Sequence, residues 1–180
     1  VIITSMAIVR ERELGTLEQL MVTPIKSYEL MLGKIIPYIV LGYIQITVAL
    51  LVGVFVFHVP IRGSLLQLYL LTLFFITASL GLGLMISNIA RNQMQAIQMS
   101  FFVMLPSILL SGFMFPRLAM PDFIYYLSYI IPLTYYLDII RGIILKGIGF
   151  QYLIGQVSAL FIFSLLMLTV STLKFKKKIA

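Results

Sequence analysis

The run IIPYIVLGYIQITVALLVGVFVF, residues 35–57, holds 23 residues without one charged side chain. At about 1.5 Å per residue it makes a helix about 34 Å long, enough to cross a hydrocarbon core of about 30 Å. Three further uncharged runs follow, residues 65–87, 97–115 and 150–173, of 23, 19 and 24 residues. Lipid offers no water to backbone N–H and C=O groups, so each run is expected as an α-helix, which satisfies them internally. Of the 180 residues, 61% are hydrophobic and only 11% charged. Soluble domains carry about 25% charged residues, so a water-soluble globule is excluded. The expected fold is all-α and polytopic, with four transmembrane helices in residues 35–173.

The charges fill the breaks between the runs. Thirteen Lys and Arg against six Asp and Glu give a net charge of +7. If the runs alternate in direction, residues 10–34, residues 88–96 and the tail 174–180 share one side and hold nine basic residues. The other side holds four, Arg62, Arg117, Arg141 and Lys146. The positive-inside rule then puts the first side, and with it the C-terminus, in the cytoplasm of a cell (inner or plasma) membrane. Orientation thus accounts for the basic balance without nucleic acid, and the KFKKK of the tail suits anionic lipid headgroups. There are no cysteines, which excludes disulfides and thiolate chemistry. Residues 1–9 are apolar but too short to cross a bilayer, and are expected to end a membrane helix that begins earlier in a larger protein.

Residues 116–149 do not fit an up-and-down bundle. They follow a span that Pro106 and the Ser111-Gly112 pair are expected to break, and they mix Asp122, Asp138, Arg141 and Lys146 with Tyr125, Tyr126, Tyr129, Tyr135 and Tyr136. Tyrosine favours the headgroup level, where its ring is buried and its hydroxyl wet. Two short helices, residues 122–131 and 133–146, are expected on either side of Pro132, lying at the outer interface or forming a re-entrant hairpin.

Residues 10–34, RERELGTLEQLMVTPIKSYELMLGK, hold eight of the nineteen charged residues and lie on the basic side between two membrane helices. Thr16 and Gln19 have capping-box spacing, so a short helix should start there. Leu17, Leu20 and Met21 share one side of it, Glu18 lies on another, and Glu11 and Glu13 precede it. Pro24 stops this helix, and Ser27 is placed to cap the next, which runs into the span at Ile35. The product is a short amphipathic helix, tied at both ends to membrane helices, that can receive a push.

With Glu11, Glu13, Gly15, Thr16, Glu18, Leu20, Thr23, Pro24, Glu29, Leu30, Gly33 and Lys34 in this order, the segment resembles the signature of permease subunits of the type 2 ABC (ABC-2) exporters. The likeness continues through Pro60, Arg62 and Gly63, Gly81-Leu82-Gly83, Ile89-Ala90-Arg91, Ser111-Gly112-Phe113 with Phe115-Pro116, Pro132-Leu133-Thr134-Tyr135 and Arg141-Gly142. The resemblance implies an ABC-2 exporter-like transmembrane domain of six helices, of which this chain is the C-terminal part. It further implies an extracytoplasmic domain between the first two helices, assembly of two permease copies or paralogues, and a separate ABC ATPase subunit that binds ATP and Mg. It also implies that the segment of Glu11, Glu13, Gly15, Thr16, Leu17, Glu18, Leu20, Met21, Thr23 and Pro24 seats in a cleft of that ATPase and passes on its closure. The cargo implied is hydrophobic or amphipathic, and the chain itself is a transport subunit, not an enzyme, with no cofactor of its own.

Other features have plainer readings. Ser79, Gly83 and Ser87 recur every four residues and Gly155 pairs with Ala159, as helix-packing seams do in lipid, within one subunit or between two. Asp138 and Arg141, three apart on one helix, can pair and soften a burial cost of about 2.5–3.5 kcal/mol per charge at a bilayer centre. Pro106, Ser111, Gly112, Pro116, Asp138 and Arg141 are the candidates for an outer gate. Gln45, Thr47, Gln67, Thr72, Thr77, Gln98 and Ser100 either line a path or bond to neighbouring helices. His58 is the single histidine, so neither a metal site nor a Ser/His/Asp triad is expected. No G-x-x-x-x-G-K-[ST] loop is present to cradle ATP. The four runs contain no Asp or Glu, so a proton relay lacks its usual groups. The rival reading is a membrane-embedded structural or channel subunit without ATP coupling.

Overall fold

The computed structural model describes residues 1–15 and 27–174, without the side chains of 27–32, 34 and 172–174. The regular elements among the described residues are all helical, in the order α1 (Ile2–Glu13), α2 (Ser27–Phe55), α3 (Leu65–Ile89), α4 (Gln93–Leu110), α5 (Asp122–Leu127), α6 (Pro132–Arg141) and α7 (Ile154–Lys174), with short 3-10 turns before α5, α6 and α7. Four helices, α2, α3, α4 and α7, are long and apolar enough to cross a membrane. The expected lever helix and the basic tail beyond Lys174 lie outside the described residues.

Helix ends follow from local chemistry. Asn92 accepts from the Gln95 N–H at 2.7 Å and caps α4, while Pro132 occupies the first turn of α6, where no N–H is needed. Gly112, at φ +88°, ends α4 in the left-handed region that glycine enters at no steric cost. Two expectations need correcting. Pro106 does not break its span: α4 runs through it to Leu110, as membrane helices tolerate where neighbours satisfy the freed groups. The first helix does not stop near Val9: α1 continues to Glu13, because charged side chains at a helix end find partners there, described below.

The helix α3 is the axis of the bundle, with α1, α2, α4, α6 and α7 all packed on it. Over its span 56% of positions are buried, against 6% for α2 and 11% for α4, which face outward. Two apolar clusters divide its length. Leu68 and Leu71 meet Ile139, Ile143, Val157 and Leu160 of the α6–α7 side, and Ile76, Leu80 and Leu84 meet Ile8 and Ile35. Below them, Val9, Ala90 and Ala96 close the basic end.

Glycine sets the closest approaches. A Cβ on Gly81 would lie 2.8 Å from Met167 Cβ, so α3 and α7 touch at this point, and the Ser171 hydroxyl donates to the Gly81 carbonyl at 2.8 Å. Gly83 meets α1 in the same way, 3.1 Å from Thr4 Cβ. Gly155, by contrast, has nothing within 4 Å among the described residues, so none of them packs on the glycine of the Gly155/Ala159 pair. Substituting Gly81→Ala should cost about 1–3 kcal/mol through overpacking, read as a lower midpoint in thermal unfolding of the full-length protein in detergent. Gly155→Ala should leave the midpoint unchanged.

Candidate functional site

At the basic end, the last turn of α1 is fastened to the α3–α4 turn. The Arg12 guanidinium donates to the Ala90 carbonyl, one of the carbonyls that the end of a helix leaves without an internal partner. Glu13 accepts from the Gln93 N–H at 3.0 Å and from the Gln93 side-chain amide, so a carboxylate sits at the N-terminal turn of α4, where the helix dipole favours negative charge. Gln93's side chain first, then its backbone N–H, holds the Glu13 carboxyl below its ordinary pKa. The chain then leaves α1 through Gly15 at φ +70°. Of the expected coupling residues, Glu11, Glu13 and Gly15 therefore lie on this fastened end, with both Glu13 oxygens turned to Gln93. Thr16, Leu17, Glu18, Leu20, Met21, Thr23 and Pro24 lie outside the described residues.

At the opposite, aromatic end, α5 and α6 form a hairpin bent by 89° at Pro132. Asp138 pairs with Arg117 at 3.5 Å, not with Arg141. Arg141 instead donates to the Gly112 carbonyl at 2.9 Å. The Arg117 guanidinium also donates to Ser128 Oγ at 3.1 Å and lies over the rings of Tyr129 and Tyr125, 4.6 and 5.0 Å from their centroids. One guanidinium nitrogen, Nη2, is buried without a hydrogen-bond partner, so charge–ring attraction, roughly 0.5–2 kcal/mol, carries part of its stabilisation. The Arg117 stem would meet a Cβ on Gly112 at 2.9 Å. Gly112 thus has to be glycine twice over, for its φ and for its neighbour. Of the outer-gate candidates, Ser111, Gly112, Asp138 and Arg141 are brought to this cluster. Pro116 opens the 3-10 turn that carries Arg117, and Pro106 lies inside α4, apart from it.

The same end is braced by the α2–α3 loop. The Arg62 N–H donates to the Ile144 carbonyl at 3.1 Å, inside a π turn over Gly142–Lys146, and a Cβ on Gly63 would collide with the Ile143 carbonyl. Sequence reasoning missed Arg117, Ser128 and this brace. The Arg directly after Phe115-Pro116, with tyrosines at i and i+4 downstream, was the available signal.

Most of the polar residues inside the spans are pins between helices. Ser5 and Ser100 tie α1 to α4 at 2.9 Å, Thr47 and Tyr69 tie α2 to α3 at 2.8 Å, Thr72 and Tyr136 tie α3 to α6 at 3.0 Å, and Thr77 and Ser164 tie α3 to α7 at 2.6 Å. Ser87 is buried and donates to the Leu84 carbonyl of its own helix. Among the described residues no group of three His, Cys, Asp or Glu is placed to hold a metal ion.

This is the build of a polytopic membrane domain with a fastened helix end on one side and an aromatic hairpin on the other. The chain belongs to the ABC-2 type transporter family, whose model matches residues 1–145. It is 44% identical over 147 residues to "Probable multidrug ABC transporter permease YbhS" of Escherichia coli (strain K12), covering 81% of this chain and 39% of that protein. "Inner membrane transport permease YhhJ" of the same organism is 32% identical over 181 residues, 99% of this chain and 48% of the relative. "ABC transporter G family member 20" of Dictyostelium discoideum is 33% identical over 150 residues, 83% of this chain and 20% of the relative. The chain thus spans less than half the length of each of these relatives. No solved structure matches it.

Two measurements check this geometry. In a double-mutant cycle, Arg117→Met and Asp138→Asn should couple by about 0.5–1 kcal/mol, discounted for the partial exposure of Asp138, while Asp138→Asn and Arg141→Met should be additive. For Glu13 the lowered pKa means that the contribution of its bonds is complete above the ordinary carboxyl pKa, about 4.3, and is lost as pH falls through the lowered value. Hydrogen-exchange protection of the Gln93 amide should therefore hold from neutral pH to about 4 and collapse below it, and Glu13→Gln should abolish that pH dependence.

Proposed function

We propose that this chain is the C-terminal part of the membrane domain of a permease subunit in an ATP-driven exporter of hydrophobic or amphipathic compounds. Two such subunits, alike or paralogous, assemble with two copies of a separate ATPase that binds ATP and Mg. The C-terminus and residues 16–26 face the cytoplasm, and the α5–α6 hairpin lies at the outer interface or re-enters the membrane there. The observation that carries the reading is the fastening of α1 at Arg12 and Glu13 to Ala90 and Gln93, immediately before the segment with the coupling signature. A push received on that segment acts on a helix end already joined to α3 and α4. The names of the relatives, transport permeases and ABC transporters, support the same assignment.

Replacing Glu18→Ala and Leu20→Ala together in the full-length permease, co-expressed with its ATPase subunit, tests this reading. The double variant should reach the membrane at normal abundance, yet lose most of the ATPase activity that co-purifies with the permease, roughly tenfold or about 1.4 kcal/mol of interaction. Unchanged coupling would refute the lever.

A further inference from the structure

The strongest unassigned feature is a cleft of about 790 Å³ enclosed by α1, α2, α3, α4 and α6, a volume within the range of about 300–1,000 Å³ typical of small-molecule sites. Its floor is an aromatic plate, the rings of Phe75 and Tyr136 stacked 4.1 Å apart and nearly parallel. The Tyr136 hydroxyl is occupied by Thr72. Four polar side chains on the walls, Thr4, Tyr38, Gln45 and Ser79, have no hydrogen-bond partner among the described residues, and Gln45 is the one amide among them. Gln45, the eleventh residue of the 21-residue span Ile35–Phe55, lines the cleft at mid-span, and its amide has no hydrogen-bond partner among the described residues. Ser79, on the facing wall of α3, lines the cleft with a hydroxyl likewise unpaired among the described residues. An unpaired amide at this depth is costly, since the hydrocarbon offers it nothing. Among the described residues no Asp, Glu, Lys, Arg or His lines the cleft, so a ligand with a fixed charge would meet no counter-ion from them.

From the unpaired Gln45 and Ser79 above an aromatic, charge-free floor, we infer that this cleft binds a neutral amphipathic molecule: a flat apolar body on Phe75 and Tyr136 and one donor–acceptor group read by Gln45 and Ser79. The inference rests on the exporter reading and names the class of its cargo. The weakly covered helices α2 and α4 flank the cleft, so a molecule dissolved in the bilayer reaches it sideways.

The chain has no cysteine, which permits a direct test in the full-length permease with any cysteines outside this region replaced. In membranes, the thiol of the Ser79→Cys variant should react with N-ethylmaleimide. Nile red, a neutral amphipathic dye, should slow that reaction at least fivefold, whereas ethidium, a permanent cation of similar size, should not. Adding Gln45→Leu should raise the Nile red concentration needed for protection about tenfold, while Gln98→Leu, outside the cleft, should not move it. An unreactive thiol without dye means that other parts of the full-length chain or a second copy fill the cleft, and overturns the inference. Equal protection by both dyes, or protection indifferent to Gln45→Leu, overturns it too. Because protection needs no ATPase, its failure is distinct from failure of the lever: a protected thiol with no ATPase coupling would keep the binding site and remove the exporter.

Discussion

Helices that share a hydrocarbon solvent gain nothing from burying leucine on leucine, since lipid tails are as apolar as the partner helix. Cohesion has to come from contacts that lipid cannot supply. In this chain they are close backbone approaches at glycine and hydrogen bonds between hydroxyls, and nearly all of them converge on α3. Gly81 lets α7 in and Gly83 lets α1 in, while Thr72 and Thr77 fasten α6 and α7 by one bond each. The apolar clusters then fill the space these contacts define. Thr72 and Thr77 also bond to carbonyls of their own helix, so their hydroxyls are held in place before a neighbour arrives.

The two ends solve a different problem. Where helices stop, their orphan carbonyls and N–H groups need partners, and charged side chains can supply them because water or headgroups are near. Arg12 and Glu13 do so at one end, and Arg141, on the Gly112 carbonyl, at the other. Arg117 shows how far a charge can be drawn in when aromatic faces replace water: its side chain is only 17% exposed, with Asp138 on one side and two tyrosine rings on the other.

The spans were legible in the sequence because a charge-free run of eighteen or more residues has few other readings, and the hairpin break because proline at a first helical turn is both tolerated and directional. What the sequence hid were partners. Spacing by four shows that Gly155 and Ala159 share a face, but not that none of the described residues packs on the glycine. The i,i+3 rule offered Arg141 to Asp138, since it sees only one helix, whereas Arg117 arrives from a separate turn after α4. The charges of RERE looked like the end of a membrane helix, yet backbone bonding continued because each of Arg12 and Glu13 had a receptor on the α3–α4 turn. Gln45 was visible as a polar residue in a span. That it and Ser79 face a cleft unpaired, while Thr47, Thr72, Thr77 and Ser100 are pinned to neighbouring helices, required coordinates.

These connections distribute rigidity unevenly. Gly83 against Thr4, the Ser5–Ser100 bond and the Arg12 and Glu13 fastenings join α1, α3 and α4 into one body. Helix α2 is held more lightly, by Tyr43 and Thr47 on Tyr69 and by Gly42 against Ile76, and it carries Pro37 near its basic end, a missing N–H where helices bend readily. Residues 16–26 connect this body to α2. On the exporter reading, a force applied to that connector therefore acts first on the separation between α2 and the α1–α3–α4 body, and those are the walls of the cleft that holds Gln45 and Ser79. Coupling and cargo would then share one moving joint, without any need for a signal to cross the tightly packed interface of α3 with α7.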